Sequence, residues 1–184
     1  MRELDNIDND LEQTQETVAA PTAVRRTDLA EIHEAANTLL EQLKRVPDGD
    51  LVGEILATGI RLLQDRTNRG DIKLLNKSLK ELRYALKIFA PYRDVRKASI
   101  FGSARTPEDH PDYKAAAEFG KRLAEAGWMV ITGAGGGIMA AGHGGAGAKP
   151  SFGLAIRLPF EQATNVHIAG DDKLINFKYF FTRK

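Results

Sequence analysis

WMVITGAGGGIM, residues 128–139, is the stretch that decides the fold of this chain. Its first five residues are apolar or β-forming, four glycines follow within five positions, and a helical pattern begins at Ile138. A short β-run, a glycine loop and then a helix are typical of a βαβ unit in a parallel sheet. The stretch therefore predicts an α/β domain.

Strand-like and helical patterns flank this stretch on both sides. Residues 97–101 predict a strand ending in a turn at 102–105, and residues 151–158 predict a third strand. Residues 111–126 predict a helix with Gly127 as its cap. The run from Leu174 to Lys184 predicts the opening of another helix. We expect a Rossmann-like parallel sheet flanked by helices and incomplete at the C-terminus, with an N-terminal α-helical extension.

The N-terminal half has a different composition. Residues 1–24 hold six acids against one base and predict a disordered acidic tail. Apolar residues at helical spacing predict three short amphipathic helices within 27–90. The expected domains are thus the tail 1–24, a helical extension 25–95 and a nucleotide-binding domain 96–184.

Composition excludes several classes of function. The net charge of +1 gives no field that would attract nucleic acid, and no run approaches the roughly 20 apolar residues of a membrane span. The chain has no cysteine, and its acidic N-terminus is unlike a signal peptide, so we expect a cytoplasmic protein. The histidines are scattered, which predicts surface or loop positions and no metal site. They are His33, His110, His143 and His167.

The glycine loop is the first candidate site. Backbone amides and the positive end of a helix dipole attract phosphate, and glycines let the ligand approach closely. The alternative is a tight turn that merely needs glycine. The predicted phosphate-binding residues are Gly133, Gly135, Gly136, Gly137 and Met139.

Gly102 and Ser103 form the second candidate loop. In a parallel sheet, strand ends converge on a crevice where the strand order reverses, so both loops can face one ligand. The alternative is a simple turn with Ser103 capping a helix. Arg183 and Lys184 are adjacent cations whose alternative interpretation is a solvated basic terminus.

A dinucleotide site is a competing interpretation. Gly135-x-Gly137-x-x-Ala140 fits a relaxed nicotinamide-cofactor pattern, and Glu161 follows the next predicted strand. A complete strand–helix unit ahead of the loop and a third consecutive glycine argue against it. No Walker lysine follows the glycines, which excludes a P-loop.

Four motifs in order resemble the LOG family of Rossmann-like nucleoside 5′-monophosphate phosphoribohydrolases. They are IFGSA at 100–104, TGAGGGIM at 132–139, SFGL at 151–154 continuing through Arg157-Leu158-Pro159, and FFTRK at 180–184. The resemblance covers residues 97–184. The helical segment before it is similar to the extension of longer bacterial members.

The resemblance implies hydrolysis of the N-glycosidic bond of a nucleotide such as AMP, giving free base and ribose 5-phosphate without a metal or cofactor. It implies that Arg183 is catalytic and that Lys184 joins the phosphate-binding residues. The family's later P-G-G-x-G-T-x-x-E motif is absent from these 184 residues, so we expect weak binding and poor cleavage. A non-enzymatic nucleotide-binding or regulatory module is the leading alternative, and an NAD(P)-dependent oxidoreductase is the third.

Two further expectations concern packing. Aromatic residues Phe177, Tyr179, Phe180 and Phe181 near the end of the chain predict an exposed apolar cluster, and with the resemblance they predict a homodimer or higher homo-oligomer. The glycine-rich run 142–147 lies where a better helix former is expected, because interior glycine costs a helix about 1 kcal/mol relative to alanine.

Overall fold

A computed structural model describes residues 26–156 and 164–184. In these ranges the chain divides into two compact units, a helical unit ending at Leu75 and a second unit, Asn76–Lys184. The predicted acidic tail, Arg157-Leu158-Pro159 and Glu161 lie outside the described residues. No helix in the described part is long and apolar enough to cross a bilayer.

The helical unit holds α1 (Arg26–Leu43), α2 (Gly49–Gln64) and the start of α3 (Arg69–Phe89). The three helices predicted within 27–90 are confirmed. The turn between α1 and α2 is tight because Gly49 has no side chain: a Cβ there would lie 1.9 Å from the carbonyl oxygen of Leu43. Leu51, Ile55 and Leu63 of α2 are each more than half exposed.

The second unit contains a four-stranded parallel sheet in the order β1-β2-β3-β4. Its elements after α3 are a 3-10 turn (Ala90–Tyr92), β1 (Lys97–Ser99), α4 (Pro111–Glu125), β2 (Met129–Thr132), α5 (Ile138–Ala146), β3 (Ser151–Ile156), β4 (Leu174–Phe177) and α6 (Phe180–Arg183). The predicted Rossmann-like parallel sheet flanked by helices is therefore confirmed. Gly127 has φ +77° and its amide donates to Ala124 O, as expected of a helix cap.

The C-terminal segment differs from its prediction. Residues 174–177 form strand β4 rather than the opening of a helix, and only 180–183 are helical. Ile175 and Phe177 point into the core, with 1% and 3% exposure, because β4 pairs along β3. The predicted exposed cluster is therefore wrong for Phe177, whereas Phe180 and Phe181 are both more than half exposed.

The strand order also differs from the expectation. Among the described strands, each pairs with its sequence neighbours and the order does not reverse, so they form no switch-point crevice. The loops after β1 and β2 share an edge for a simpler reason. These strands are parallel neighbours, so their carboxyl ends lie side by side.

The core beside β3 is aromatic. The ring of Phe152 is fully buried, and Phe89 at the end of α3 stacks on it with ring centroids 4.2 Å apart. Tyr92 meets the same ring edge-on at 5.3 Å. Each such aromatic pair contributes about 0.5–1.5 kcal/mol beyond the free energy of burying its surface. Phe152 therefore attaches α3 and the following turn to the sheet.

The unexpected glycines of α5 allow close packing against α4. A Cβ at Gly145 would lie 1.9 Å from Ala117 O, and one at Gly120 would lie 2.4 Å from Gly142 O. Any larger residue at these points would strike a backbone carbonyl. Helix α5 therefore contains residues of low helix propensity because only glycine allows its backbone to contact the backbone of α4.

We predict that Gly145→Ala destabilises the second unit although alanine is the better helix former. The clash with Ala117 O is with backbone, and such overpacking costs about 1–3 kcal/mol. Gly59→Ala is the matched control, because a Cβ at Gly59 in α2 meets nothing within 4 Å and the substitution gains up to about 1 kcal/mol. Urea unfolding followed by circular dichroism measures both changes. Equal stabilisation by the two alanines would contradict the close-packing account.

Candidate functional site

The turn after β1 and the loop after β2 are in direct backbone contact. The amide of Ile138 donates to Ser103 O at 3.0 Å, and a Cβ at Gly137 would lie only 2.2 Å from that oxygen. Gly137 has φ +58°, which strongly favours glycine. The structure thus brings Gly102 and Ser103 to the glycine loop, as the sequence predicts.

This contact determines which amides of the loop already have an acceptor. The amide of Ile138 at the start of α5 is taken by Ser103, so it is not free for a phosphate. Within 26–156 and 164–184, no group accepts from the amides of Gly135, Gly136 or Gly137. In the described part of the chain these three successive amides have no acceptor, and such a run of amides suits an anion.

Several glycines of the site also make room for side chains. A Cβ at Gly102 would lie 2.5 Å from Ile138, and Cβ atoms at Gly133 and Gly135 would lie 3.0 Å from Met139 Sδ and 2.7 Å from its Cε. Met139 therefore packs over the loop. The alternative to phosphate binding, a tight turn that merely needs glycine, therefore has a physical basis at these residues.

Arg183 lies beside the same loop. Its Nη1 atom is 3.6 Å from the position that a Cβ would take at Gly133, and its guanidinium carbon lies 5.1 Å from the centre of the Phe180 ring. The interpretation of Arg183 as part of a solvated terminus is thereby weakened. Lys184 is exposed, and no contact joins its side chain to the loop among the described residues.

Ser103 organises its own turn. Its Oγ accepts from the amide of Arg105 at 3.1 Å, and the next helix begins only at Pro111. The side chain of Ser103 therefore does not cap a helix. The hydroxyl still has a hydrogen to donate, because accepting from Arg105 uses only a lone pair.

His143 is buried, contrary to the prediction that it lies at the surface or in a loop. Its side chain is fully enclosed in α5. Nε2 lies 3.1 Å from Phe152 O and 3.2 Å from Thr132 Oγ1, and Nδ1 lies 3.2 Å from Asn165 Nδ2. Because a carbonyl oxygen only accepts, Nε2 carries the hydrogen and Nδ1 accepts from Asn165, which is a neutral imidazole.

Asn165 extends this network to the glycine loop. Its Nδ2 donates to Gly135 O at 2.9 Å, and its backbone amide donates to Ala134 O at 2.9 Å. Ala134 has φ +62°, a left-handed conformation rare for alanine, and its amide donates to Thr132 Oγ1. Asn165 Oδ1 is buried and has no partner among the described residues. The loop shape is thus held from behind by Thr132, His143 and Asn165.

Sequence reasoning missed these three supporting residues. Thr132 is the last residue of a strand, and Asn165 lies 22 positions after His143, so no local pattern links them. The one available signal is a polar, ring-bearing residue within a glycine-rich helix that packs closely on its neighbour. In the described part of the chain, no three His, Asp or Glu side chains are grouped to hold a metal ion.

Comparison with known proteins supports the class of domain described above, without identifying a particular activity. Residues 95–169 match the sequence model of the SLOG cluster4 family. The SLOG superfamily includes LOG-like Rossmann-like proteins, so the match supports a nucleotide-related Rossmann-like domain and does not single out the LOG family. No curated protein matches the chain.

We predict that His143 makes the second unit less stable as the pH falls below about 6.5. Burial lowers the pKa of His143 below its ordinary value, so the unfolded chain takes up a proton that the folded one resists. This stabilisation is complete above the unfolded pKa and is lost at up to about 1.4 kcal/mol per pH unit below it. Urea unfolding between pH 7.5 and 5.5 measures the slope.

His143→Gln removes the titrating group and should flatten that slope. Glutamine can still donate to Phe152 O. His110→Gln is the matched variant for loss of a half-exposed imidazole at the start of α4. The same slope in wild type and His143→Gln would contradict the assignment.

Proposed function

We propose that the domain 96–184 binds a nucleoside 5′-monophosphate such as AMP at the carboxyl edge of β1 and β2. The observation that carries the proposal is the position of Arg183. Arg183 places its guanidinium beside Gly133. The same glycine loop holds three amides that have no acceptor among the described residues. Backbone amides and a guanidinium at one loop are a common arrangement for binding a phosphate.

The roles of the predicted residues follow from their places. The amides of 135–137 bind phosphate oxygens, and Arg183 pairs with the phosphate charge. Gly102 and Ser103 line the other side of the loop, Met139 covers it, and Lys184 adds positive charge next to Arg183. The match to the SLOG cluster4 family supports a nucleotide ligand over an unrelated anion.

The parent chemistry proposed is hydrolysis of the N-glycosidic bond. Water attacks C1′ of the ribose, and the base leaves with the bonding electrons and gains a proton. Arg183 is the proposed catalytic residue, which contacts the phosphoribosyl group. The chemistry also needs a carboxylate to stabilise positive charge on the ribose or to activate water, which the family's later motif would supply.

A dinucleotide oxidoreductase is less well supported. In the dinucleotide fingerprint the glycine loop follows the first strand of the unit. Here β1 and α4 form a complete strand–helix unit before β2 and its loop. A monophosphate therefore fits the site better.

We predict that AMP raises the melting temperature more than adenosine or NAD does. Arg183→Ala should weaken AMP binding about 10- to 100-fold, because a hydrogen bond to a charged group contributes about 1.5–3 kcal/mol. Lys121→Ala is the charge-matched control, since Lys121 is exposed on α4 and pairs with Glu125 at 3.9 Å. Isothermal titration calorimetry supplies the affinities.

Full AMP affinity in a folded Arg183→Ala protein would remove Arg183 from the site. A larger shift with NAD than with AMP would favour the dinucleotide interpretation. Chromatographic assay of adenine separates an enzyme from a binding module, and we expect no appreciable release by these 184 residues. Robust release would show that a carboxylate within these residues, such as Glu161, serves the reaction.

We also propose that the chain self-associates through apolar surface of its helices. Leu51, Ile55 and Leu63 lie on α2 with more than half of their surface exposed. Leu51 and Ile55 are one helical turn apart and so share a face of α2, and exposed apolar surface of this kind is typical of association sites. Light scattering at several concentrations should show a mass that rises above the monomer. A wild-type mass that stays at the monomer value at every concentration would contradict this proposal. An oligomer that Leu51→Glu/Ile55→Glu leaves unchanged would remove α2 from the interface.

A further inference from the structure

Glu81 is a buried carboxylate whose role the sequence does not reveal. It lies in the Lys80-Glu81-Leu82-Arg83 run of α3, which reads as part of a solvated helix face. In the structure Glu81 is only 4% exposed. Burying a carboxylate is costly unless hydrogen bonds compensate it, so its partners matter.

Both oxygens of Glu81 bind the segment that carries Arg183. Oε1 accepts from the backbone amide of Lys178 at 2.9 Å, and Oε2 accepts from Thr182 Oγ1 at 2.8 Å. Thr182 is itself 8% exposed. The two contacts join residues 97 and 101 positions apart, so Glu81 fixes the C-terminal segment to α3.

This attachment sets the position of the arginine. Helix α6 has only four residues, too few to be stable by itself. Lys178 precedes it, and Thr182 is the residue before Arg183. The amide of Arg183 donates to Tyr179 O at 3.3 Å, an oxygen that Thr182 Oγ1 also approaches at 2.7 Å. One carboxylate therefore holds the turn from which the guanidinium reaches Gly133.

We propose that Glu81 is a positioning residue that holds Arg183 beside the glycine loop for binding the phosphate of the nucleotide. The identity of the ligand in this proposal rests on the proposed function, whereas the attachment of Arg183 by Glu81 does not. Glu81 acts through Arg183 and does not touch the ligand, because its side chain is buried at 4% exposure and both of its oxygens bind the C-terminal segment. It also assigns a function to α3 that the helical pattern alone does not suggest.

The attachment is tested without any ligand. Hydrogen exchange followed by mass spectrometry should show faster exchange over residues 174–184 in Glu81→Ala, with exchange over 129–156 unchanged. Glu81→Gln should restore slow exchange, because its side-chain oxygen still accepts from Lys178 and its amide can donate to Thr182. Thr182→Val should behave like Glu81→Ala, and Thr182→Ser like wild type. Unchanged exchange in both Glu81→Ala and Thr182→Val would overturn the proposal.

The effect on the site is tested by a double-mutant cycle with AMP. Glu81→Ala should weaken AMP binding about tenfold or more, and Glu81→Gln should restore most of the affinity. In the Arg183→Ala background, Glu81→Ala should have little further effect, because both changes remove the same interaction. Independent, additive losses would overturn the positioning role.

The two arms separate this inference from the proposed function. The wild-type protein could fail to bind AMP while hydrogen exchange responds to the Glu81 variants as expected. That result would overturn the proposed nucleotide ligand but would leave Glu81 as the residue that anchors Arg183. Normal AMP binding by a folded Glu81→Ala protein would overturn the positioning role while leaving the proposed function intact.

Discussion

The backbone contact between Ser103 and the start of α5 is the constraint on which the rest of the site depends. The Ile138 amide bonds to Ser103 O, and Gly137 leaves no side chain to separate them. Because β1 and β2 are parallel neighbours, this contact sets the direction in which α5 leaves the sheet. That direction brings α5 against α4, where Gly120 and Gly145 allow carbonyl groups to approach.

The same loop is held on its other side by a neutral polar network. Asn165 bonds to Gly135 O and to His143, while the hydroxyl of Thr132 accepts from the amide of Ala134. These bonds offset the left-handed backbone of Ala134, a conformation that costs about 1–3 kcal/mol. The carbonyl groups at 134 and 135 are thereby engaged by Asn165, whereas no group among the described residues accepts from the amides at 135–137. The network that fixes the shape of the loop therefore leaves these three amides unused.

Most of the fold could be predicted from local sequence patterns. The features that could not be predicted depend on contacts between residues far apart in sequence. The glycine loop, β2 and the cap at Gly127 have signals within a few residues, so sequence reasoning found them. Strand β4 has only four residues, and its extended conformation comes from pairing with β3. The aromatic residues that follow β4 made the whole run look like the start of a helix. The burial of His143 depends on Phe152 O and Asn165, neither of which is adjacent to it in sequence. The position of Arg183 likewise depends on Glu81, about 100 residues earlier.

These contacts have a consequence for how a ligand would be held. The amides of 135–137 belong to a loop fixed by hydrogen bonds on two sides, and the arginine belongs to a short helix bound by a buried carboxylate. Donors that are already in place lose little conformational entropy when an anion binds, so more of the interaction free energy appears as affinity. The loop and the arginine also come from separate elements. Their relative position can therefore change through α3 without altering the loop or the arginine itself.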